Sequence, residues 1–189
     1  MGGLGRYRHV EGRMNRAVFL DRDGVINRAI VRAGRPYSPS LLEEFELLPG
    51  VDEAIRRLRV SRFTVIVVTN QPDVAKGLVR REVVEAMHEK MLRALAIDEI
   101  KACYHDDKDN CECRKPKPGM LLDAAEKWSL NLSMSYMVGD RWRDIEAGRA
   151  AGCKTILVGD GYGEQQARDP DAVAASLCEA VQLIVTLEL

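Results

Sequence analysis

The stretch Val18-Phe19-Leu20-Asp21-Arg22-Asp23-Gly24-Val25-Ile26-Asn27 decides how this chain folds. Its first three residues predict a buried strand; two carboxylates follow, two positions apart, and Gly24 then breaks the pattern. Because an unpaired charge inside a sheet is very costly, Asp21 and Asp23 belong at the strand's carboxyl end, where open α/β sheets bind ligands. Carboxylates this close repel each other, which indicates a bound cation and a phosphate beyond it. Taken alone, the stretch also fits an Asp-Arg-Asp-Gly turn after an edge strand.

Length and composition predict one globular domain with a full hydrophobic core. The chain has 189 residues, of which 46% are hydrophobic and 30% charged, and its formal net charge is -1. A chain of this length buries a sizeable core. The near-neutral charge gives no reason to expect nucleic acid or an anionic membrane as a partner, and no apolar run reaches the length of a membrane span. We therefore expect a monomer that binds a small molecule.

The N-terminal segment and the cysteines bear on the compartment. Residues 1–15 are rich in Gly and Arg and lack the apolar core of a secretory signal. We expect a disordered leader there, with Met14 as a second candidate for the start, and a single folded domain over residues 16–189. The five cysteines include three crowded between positions 103 and 113, which favours metal binding over disulfides in a chain without an export signal. The sequence thus predicts a cytoplasmic protein.

Strand patterns alternate with helix patterns along the chain, which predicts a Rossmann-like parallel sheet with helices on both faces. A polar loop is expected over 28–39, and His88, among charged neighbours, is expected on the surface. No large insertion separates the motifs, so we expect no cap domain and an open crevice. After the first strand, the predicted strands cover 63–70, 100–104, 135–140 and 154–158, and the predicted helices cover about 51–60, 79–95, 120–128, 144–151 and 171–187.

Three predicted strands end in polar side chains, and the carboxyl ends of parallel strands converge on one crevice. Aspartates from two strands supply the hard oxygen ligands that Mg²⁺ prefers beside a phosphate. A carboxylate that faces a phosphate is also a nucleophile able to form an aspartyl-phosphate. The residues at the three strand ends are Asp21 with Asp23, Thr69 with Asn70, and Asp140 with Asp144.

A second group of residues predicts zinc. Cys103-x-His105-x5-Cys111-x-Cys113 offers three thiolates and one imidazole within one short loop. Four such ligands fit a closed, structural tetrahedral Zn²⁺ site, with no position left open for catalysis. Because the residues between these ligands are mostly acidic, the loop has too few apolar side chains to fold without metal. A coincidental cluster of buried cysteines is the alternative.

The motifs around the strand ends resemble those of the haloacid dehalogenase superfamily of phosphatases. The matching segments are Asp21-x-Asp23-Gly24, Thr69-Asn70-Gln71, a lysine before the fourth strand, and Gly139-Asp140-x-x-x-Asp144. The resemblance implies an Asp21 nucleophile and an Asp23 general acid that then becomes the base. It further implies Mg²⁺ held by the Asp21 carboxylate, the Asp23 carbonyl and Asp140, with Thr69 and Lys115 steadying the phosphoryl group. Asp144 is either a partner of the metal site or an N-terminal helix cap.

The zinc loop and the segment after it, Arg114-Lys115-Pro116-Lys117-Pro118-Gly119, resemble the D-glycero-D-manno-heptose 1,7-bisphosphate 7-phosphatases. The resemblance implies removal of the C7 phosphate of a small phosphorylated sugar, in nucleotide-activated heptose biosynthesis for lipopolysaccharide or capsule. It implies that Arg114 recognises substrate and that Lys115 contacts the scissile phosphate. The expected substrate-binding residues are Asn70, Gln71, Arg114 and Arg141, with Arg32 and Arg35 as weaker candidates.

Three positions depart from that family's pattern and bear on substrate identity more than on reaction type. Arg141 stands where the family commonly has Lys, Pro72-Asp73-Val74 replaces Ser-Gly-Ile, and residues 30–39 differ. The histidinol-phosphate phosphatases, with a related zinc loop, are the nearest alternative. A catalytically silent, zinc-stabilised binding module would need a broken motif, and each motif is present. A nucleic-acid 3′-phosphatase would need a basic surface track.

Overall fold

The computed structural model describes residues 15–187, which form eight strands and six α-helices. The strands are β1 (Ala17–Leu20), β2 (Ile30–Arg32), β3 (Arg35–Tyr37), β4 (Thr64–Asn70), β5 (Glu99–Cys103), β6 (Tyr136–Gly139), β7 (Lys154–Val158) and β8 (Ala172–Ala174). The helices are α1 (Val51–Val60), α2 (Pro72–Ala75), α3 (Arg81–Ala94), α4 (Gly119–Trp128), α5 (Trp142–Ala151) and α6 (Leu177–Leu187).

Strand β1 lies in the middle of a parallel sheet of order β5-β4-β1-β6-β7-β8. Its residues are all fully buried, and Val18 pairs with Val65 of β4 on one side and with Tyr136 of β6 on the other. A short apolar strand is suited to this place because its backbone groups are satisfied on both edges and its side chains on both faces. The chain leaves β1 at Asp21, whose N–H donates to the Val138 carbonyl at 2.9 Å.

The two faces of the sheet carry separate hydrophobic clusters, and successive β1 residues alternate between them. Val18 and Leu20 pack with α1, α3 and α6, whereas Ala17 and Phe19 pack with α4 and α5. This alternation follows from the two-residue period of a strand. The structure thus confirms the predicted Rossmann-like sheet with helices on both faces, and the described residues contain no cap domain.

The predicted helix over 171–187 is wrong in its first part, because the segment opens with strand β8. Asp171 accepts hydrogen bonds from the Thr155 N–H at 2.7 Å and the Thr155 hydroxyl at 2.9 Å. These bonds tie the segment to β7, with Ala172 in register with Ile156. Helix α6 begins only after Ser176, whose hydroxyl accepts the Glu179 N–H and so caps the helix.

The predicted polar loop over 28–39 is in fact a small hairpin of β2 and β3. Its two-residue turn, Ala33 and Gly34, has positive φ at both positions, as hairpin turns that follow the strand twist require. The Gly34 carbonyl accepts the Gly163 N–H at 3.1 Å. The hairpin is therefore attached to the segment between β7 and β8, and the two meet at one side of the strand ends.

The predicted leader lies largely outside the described residues. Asn15, its last residue, forms a parallel bridge with Leu130, and its carbonyl accepts the Asn131 N–H at 2.7 Å. Within residues 15–187, no helix combines the length and apolar character needed to cross a membrane.

Replacing Gly148 with alanine tests how tightly α5 packs on the sheet. An added Cβ would lie 2.7 Å from the Met137 Cβ and 2.8 Å from the Thr155 Cγ2. Alanine is the better helix former by about 1 kcal/mol, but overpacking of this kind costs about 1–3 kcal/mol. We expect Gly148→Ala to lower the free energy of unfolding, measured by urea denaturation. An increase would show that α5 can move away from the sheet freely.

Candidate active site and metal centres

The side chains of Asp21, Lys115 and Asp144 form a buried ion cluster at the carboxyl end of β1. The Lys115 Nζ, on a residue only 1% exposed, lies 2.9 Å from the Asp21 Oδ1 and 2.6 Å from the Asp144 Oδ1, and it donates to the Val68 carbonyl at 2.7 Å. Burial alone lowers a lysine pKa, but the two carboxylates outweigh it and raise the pKa of Lys115. The ammonium is therefore a fixed positive charge beside Asp21.

Of the two roles that the sequence left open for Asp144, the structure shows the helix cap, and it adds a contact with Lys115. It is the third residue of α5, and its Oδ2 accepts the Arg141 N–H at 3.0 Å, as in a capping box. Its other oxygen binds Lys115. Gly139 makes room for this arrangement, because a Cβ there would lie 2.2 Å from the Asp144 Cβ. Asp144 thus joins the N-terminus of α5 to the ion cluster.

Asp140 contributes a carboxylate that is not fully satisfied. Its Oδ2 accepts the Tyr162 hydroxyl at 2.7 Å, while its buried Oδ1 has no partner among residues 15–187. Burial, followed by the charges of Asp21 and Asp144, raises the pKa of Asp140 well above its usual value. Burial and Asp144 likewise raise the pKa of Asp21 to about 6. Both carboxylates are therefore short of positive charge.

This arrangement fits a divalent cation. Asp21, Asp140 and Asp144 place one ligand atom each within 4.8 Å of one another. Asp144 is already engaged by Lys115 and by α5, whereas Asp140 has its unpartnered Oδ1. Oxygen donors of this kind suit Mg²⁺, which takes one or two carboxylates and completes its shell with water and phosphate.

Tyr162 and Gly24 support Asp140, and sequence reasoning missed both roles. Tyr162 lies between β7 and β8, where no motif marks it, and only the folded chain brings its hydroxyl to Asp140. Gly24, with φ of +90°, passes so close that a Cβ would lie 1.8 Å from the Asp140 Oδ2. Any side chain at this position would displace the carboxylate.

Asp23 is held by a ring of donors. Its oxygens accept from the Arg22 guanidinium at 2.9 and 3.0 Å, from Asn27 at 2.9 Å, from the Ser38 hydroxyl at 2.8 Å and from the Gln71 amide at 2.8 Å. Burial on its own raises a carboxyl pKa, but Arg22 and the hydrogen bonds outweigh it, and the pKa of Asp23 is lowered. Asp23 is therefore an ionised carboxylate with a fixed orientation.

The end of β4 contributes Thr69, Asn70 and Gln71. The Gln71 amide donates to both the Thr69 hydroxyl and Asp23, each at 2.8 Å. Asn70 brackets the backbone of Lys115: its Nδ2 donates to the Lys115 carbonyl at 2.9 Å, and its Oδ1 accepts the Lys115 N–H at 3.1 Å. Asn70 thus positions the lysine, in addition to lining the cavity beside it.

The prediction that His88 lies on the surface is wrong. His88 is 5% exposed and lies 3.2 Å from Arg22, by its Nε2 to the Nη1 of the guanidinium. Burial and the Arg22 charge lower the pKa of His88 to about 4, so the ring is neutral at neutral pH. Of its charged neighbours, Glu89 pairs with Arg93 at the surface, whereas Glu85 lies 3.7 Å from the His88 Nδ1, and the histidine itself is buried beneath the Asp21 stretch.

A groove of about 500 Å³ opens beside the carboxylates. Its lining includes the hairpin and the segment between β7 and β8, and its charged side chains are Arg35, Lys76, Arg114, Arg141, Arg143, Asp73, Asp107 and Glu164. Five cations against three carboxylates make its lining positive by two charges. A positively charged lining favours an anionic ligand.

Two of the predicted substrate contacts lie in this groove with part of their donor capacity unused. The Arg114 Nε donates to Asp107 at 2.7 Å, while its buried Nη1 has no partner in the described part of the chain. Arg141 pairs with Glu164 at 2.5 and 2.7 Å, and its Nε is similarly unpartnered. The motif analysis did not single out Arg143, the second residue of α5, which lines the same groove.

The four residues predicted to bind zinc come together in the fold. Sulfur–sulfur distances among Cys103, Cys111 and Cys113 are 3.2–3.7 Å, and the His105 Nδ1 lies 3.3 Å from the Cys113 Sγ. Tetrahedral zinc with bonds of about 2.3 Å separates its sulfur ligands by about 3.7 Å. Burial disfavours the Cys111 thiolate, but hydrogen bonds from Cys113 and from backbone amides outweigh it and lower its pKa to about 7. The cluster is thus suited to a structural zinc ion.

Comparison with known proteins agrees with this geometry. A family model described as HAD-hydrolase-like matches residues 112–180. The D-glycero-beta-D-manno-heptose-1,7-bisphosphate 7-phosphatase of Bordetella bronchiseptica is 41% identical over 156 residues, which cover 78% of this chain and 83% of that protein. The D-glycero-D-manno-heptose-1,7-bisphosphate 7-phosphatase of Thermosynechococcus vestitus is 36% identical, over 90% of this chain and 95% of its own.

One solved structure has the same fold as this chain over nearly the full length of both. The crystal structure of D,D-heptose 1,7-bisphosphate phosphatase from B. bronchiseptica, complexed with magnesium and phosphate, matches with a TM-score of 0.80 and 34% identity. The match covers 91% of this chain and 99% of that one.

The zinc hypothesis predicts one zinc ion per chain in protein purified without strong chelators, measured by elemental analysis. Cys111→Ser should lose the metal and lower the melting temperature, because the loop has little else to hold it. Cys178→Ser, outside the cluster, serves as the control and should retain the zinc. A metal-free wild-type chain whose cluster thiols titrate freely would contradict the hypothesis.

Proposed function

The chain belongs to the D-glycero-D-manno-heptose-1,7-bisphosphate 7-phosphatase family of haloacid-dehalogenase-type phosphatases, and we propose that it removes the C7 phosphate of that sugar bisphosphate. The observation that carries the proposal is the convergence of Asp21, Asp23, Lys115 and Asp140 at the carboxyl ends of neighbouring strands, beside a positively charged groove. The convergence supports phosphoryl transfer, and the groove supports a substrate with a second anionic group.

In the first half of the reaction, Asp21 attacks the phosphorus atom. The Arg22 N–H at 2.7 Å and Lys115 both reach the Asp21 Oδ1, and we assign the attack to Oδ2. The bond between phosphorus and the C7 oxygen breaks, and Asp23 gives its proton to that oxygen. Asp23 takes up that proton from solvent as the substrate binds, because the phosphate dianion is a nearby like charge and raises the pKa of the carboxyl group. The product is an aspartyl-phosphate on Asp21 and the free C7 hydroxyl.

In the second half, Asp23 is again the ionised carboxylate that its ring of donors favours. It takes a proton from water, which attacks phosphorus and breaks the bond to Asp21, releasing inorganic phosphate. The Lys115 ammonium and the Thr69 hydroxyl stabilise the charge on the phosphoryl oxygens in both halves. Three acceptors already surround the ammonium, so a phosphoryl oxygen would replace one of them.

The Asp21 carboxylate, the Asp23 carbonyl and Asp140 would hold Mg²⁺ at this site. When bound, it would neutralise the carboxylates and the phosphate oxygens they face. Tyr162 occupies one oxygen of Asp140, and the other, which has no partner among residues 15–187, would be available to the ion.

The substrate is tested by comparing phosphate release from the two C1 anomers of the heptose bisphosphate and from histidinol phosphate. We expect kcat/KM to be highest for one of the bisphosphates, because the groove carries two more positive than negative side chains. A higher value for histidinol phosphate would contradict the substrate assignment, while leaving the phosphatase chemistry intact.

Asp21→Asn tests the chemistry. We expect turnover to be lost with the fold preserved, because the change removes the nucleophile and a metal ligand while keeping the side-chain shape. Phosphate release and the circular-dichroism spectrum of the variant are the measurements. EDTA should stop the wild-type enzyme reversibly, with Mg²⁺ restoring activity. Full activity in the folded variant would exclude the aspartyl-phosphate route.

Arg114→Ala tests recognition of the distal phosphate. Loss of one charge-assisted contact costs roughly 1.5–3 kcal/mol, or about one to two decades in kcat/KM. We expect that loss for the heptose bisphosphate and a much smaller one for a simple monophosphate ester. Lys117→Ala, which removes a charge from the same loop outside the groove lining, is the matched control. Equal losses on both substrates would place Arg114 at the scissile phosphate instead.

A further inference from the structure

The Arg22 guanidinium is fully buried and contacts two side chains, the carboxylate of Asp23 and the imidazole of His88. Its Nε and Nη2 donate to Asp23 at 2.9–3.2 Å, and its Nη1 lies 3.2 Å from the Nε2 of His88. Arginine stays protonated and has only donors, so His88 must be the acceptor. All three guanidinium nitrogens of Arg22 are therefore hydrogen-bonded, and the contacts to Asp23 and His88 together fix the orientation of the guanidinium plane.

The surroundings of His88 select the tautomer that this hydrogen bond needs. An Nε2 acceptor requires the ring proton to be on Nδ1, and the Glu85 Oε2 lies 3.7 Å from Nδ1. Glu85 is itself held by the Tyr104 hydroxyl at 2.7 Å and by the Arg81 Nε at 3.2 Å. A fixed negative charge on that side stabilises the proton there.

We propose that His88 is a positioning residue for phosphoryl transfer: by accepting the Arg22 hydrogen bond, it holds the guanidinium that orients Asp23. The proposal rests on the proposed function, in which Asp23 moves the protons. Without the acceptor, a buried N–H of Arg22 has no partner, which is costly. The guanidinium then turns to find another acceptor, and the Asp23 carboxylate, joined to it by three hydrogen bonds, moves with it.

The role of Asp23 as a proton donor gives the test a specific readout. The C7 oxygen of a sugar is a poor leaving group and needs a proton as it departs, whereas p-nitrophenolate leaves without one. The parameter kcat/KM reports the steps through the first bond cleavage, where only the sugar needs Asp23 as an acid. A misplaced Asp23 therefore lowers kcat/KM for the sugar phosphate and spares that for p-nitrophenyl phosphate.

His88→Leu removes the acceptor, and His88→Gln keeps an oxygen acceptor at a similar distance. We expect His88→Leu to lower kcat/KM for the heptose bisphosphate about 10- to 100-fold, as a small misplacement of a catalytic group does, and to lower that for p-nitrophenyl phosphate less than about threefold. His88→Gln should restore most of the loss. Met91→Ala, one turn along α3 in the core, is the control: it should lower the melting temperature without changing the ratio of the two substrates.

Equal losses on the two substrates in folded His88→Leu, no loss on either, or a His88→Gln variant as impaired as His88→Leu would each overturn the proposal. If His88→Leu does not fold, the proposal is tested on the wild-type chain instead. Nitrogen-15 NMR of its histidines should show His88 with the proton on Nδ1 and with Nε2 bare, and a proton on Nε2 would refute the contact with Arg22.

The test separates this proposal from the substrate assignment. A wild-type chain that hydrolyses p-nitrophenyl phosphate but not the heptose bisphosphate would refute the substrate assignment but not the proposal for His88. The leaving-group comparison would then use another primary alkyl phosphate that the chain hydrolyses, with the same expected ratio between His88→Leu and wild type.

Discussion

The ion cluster of Lys115 with Asp21 and Asp144 is the constraint on which the rest of the site depends. A buried charge without a partner costs several kcal/mol, so these side chains are stable only together. Their meeting requires β1 at the centre of the sheet and the N-terminus of α5 beside it. Lys115 has its backbone bracketed by Asn70 at the end of β4. The Lys115 ammonium therefore links the packing of the sheet and α5 to the side chains of the proposed active site.

The cluster also explains why the site is suited to a cation and a phosphate. Among residues 15–187, the carboxylates of Asp21, Asp23, Asp140 and Asp144 are accompanied by two fully buried cations, Arg22 and Lys115. The surplus of two negative charges matches one divalent ion. Folding alone leaves it uncompensated, and the raised pKa values of Asp21 and Asp140 express this imbalance.

Chemistry and selectivity are divided between the sheet and its connecting segments. The residues proposed to react lie at strand ends, where packing on both faces of the sheet keeps them in place. The groove charges come from the β2–β3 hairpin, from α2 and the residue after it, from the loop that carries Arg114, from the start of α5 and the turn before it, and from the segment before β8. The Cys and His cluster ends at Cys113, directly before Arg114 and Lys115, so a zinc ion there would steady the proposed substrate contact Arg114 and the Lys115 ammonium together. Loops of this kind can change specificity while the sheet preserves the reaction.

The sequence alone determined what depends on local pattern: the apolar runs that become strands, the acidic pair after β1, and the spacing of the Cys and His residues. Each is readable because a strand's period or a metal's ligand set leaves a short-range signature. Tertiary structure alone decided what depends on distant residues. His88 reads as a surface histidine until Arg22 lies against it, Tyr162 has no signature until it meets Asp140, and residues 172–174 become a strand because Asp171 binds Thr155. Hydrogen bonds between residues 16 to 66 positions apart leave no periodicity in the chain, so only folding reveals them.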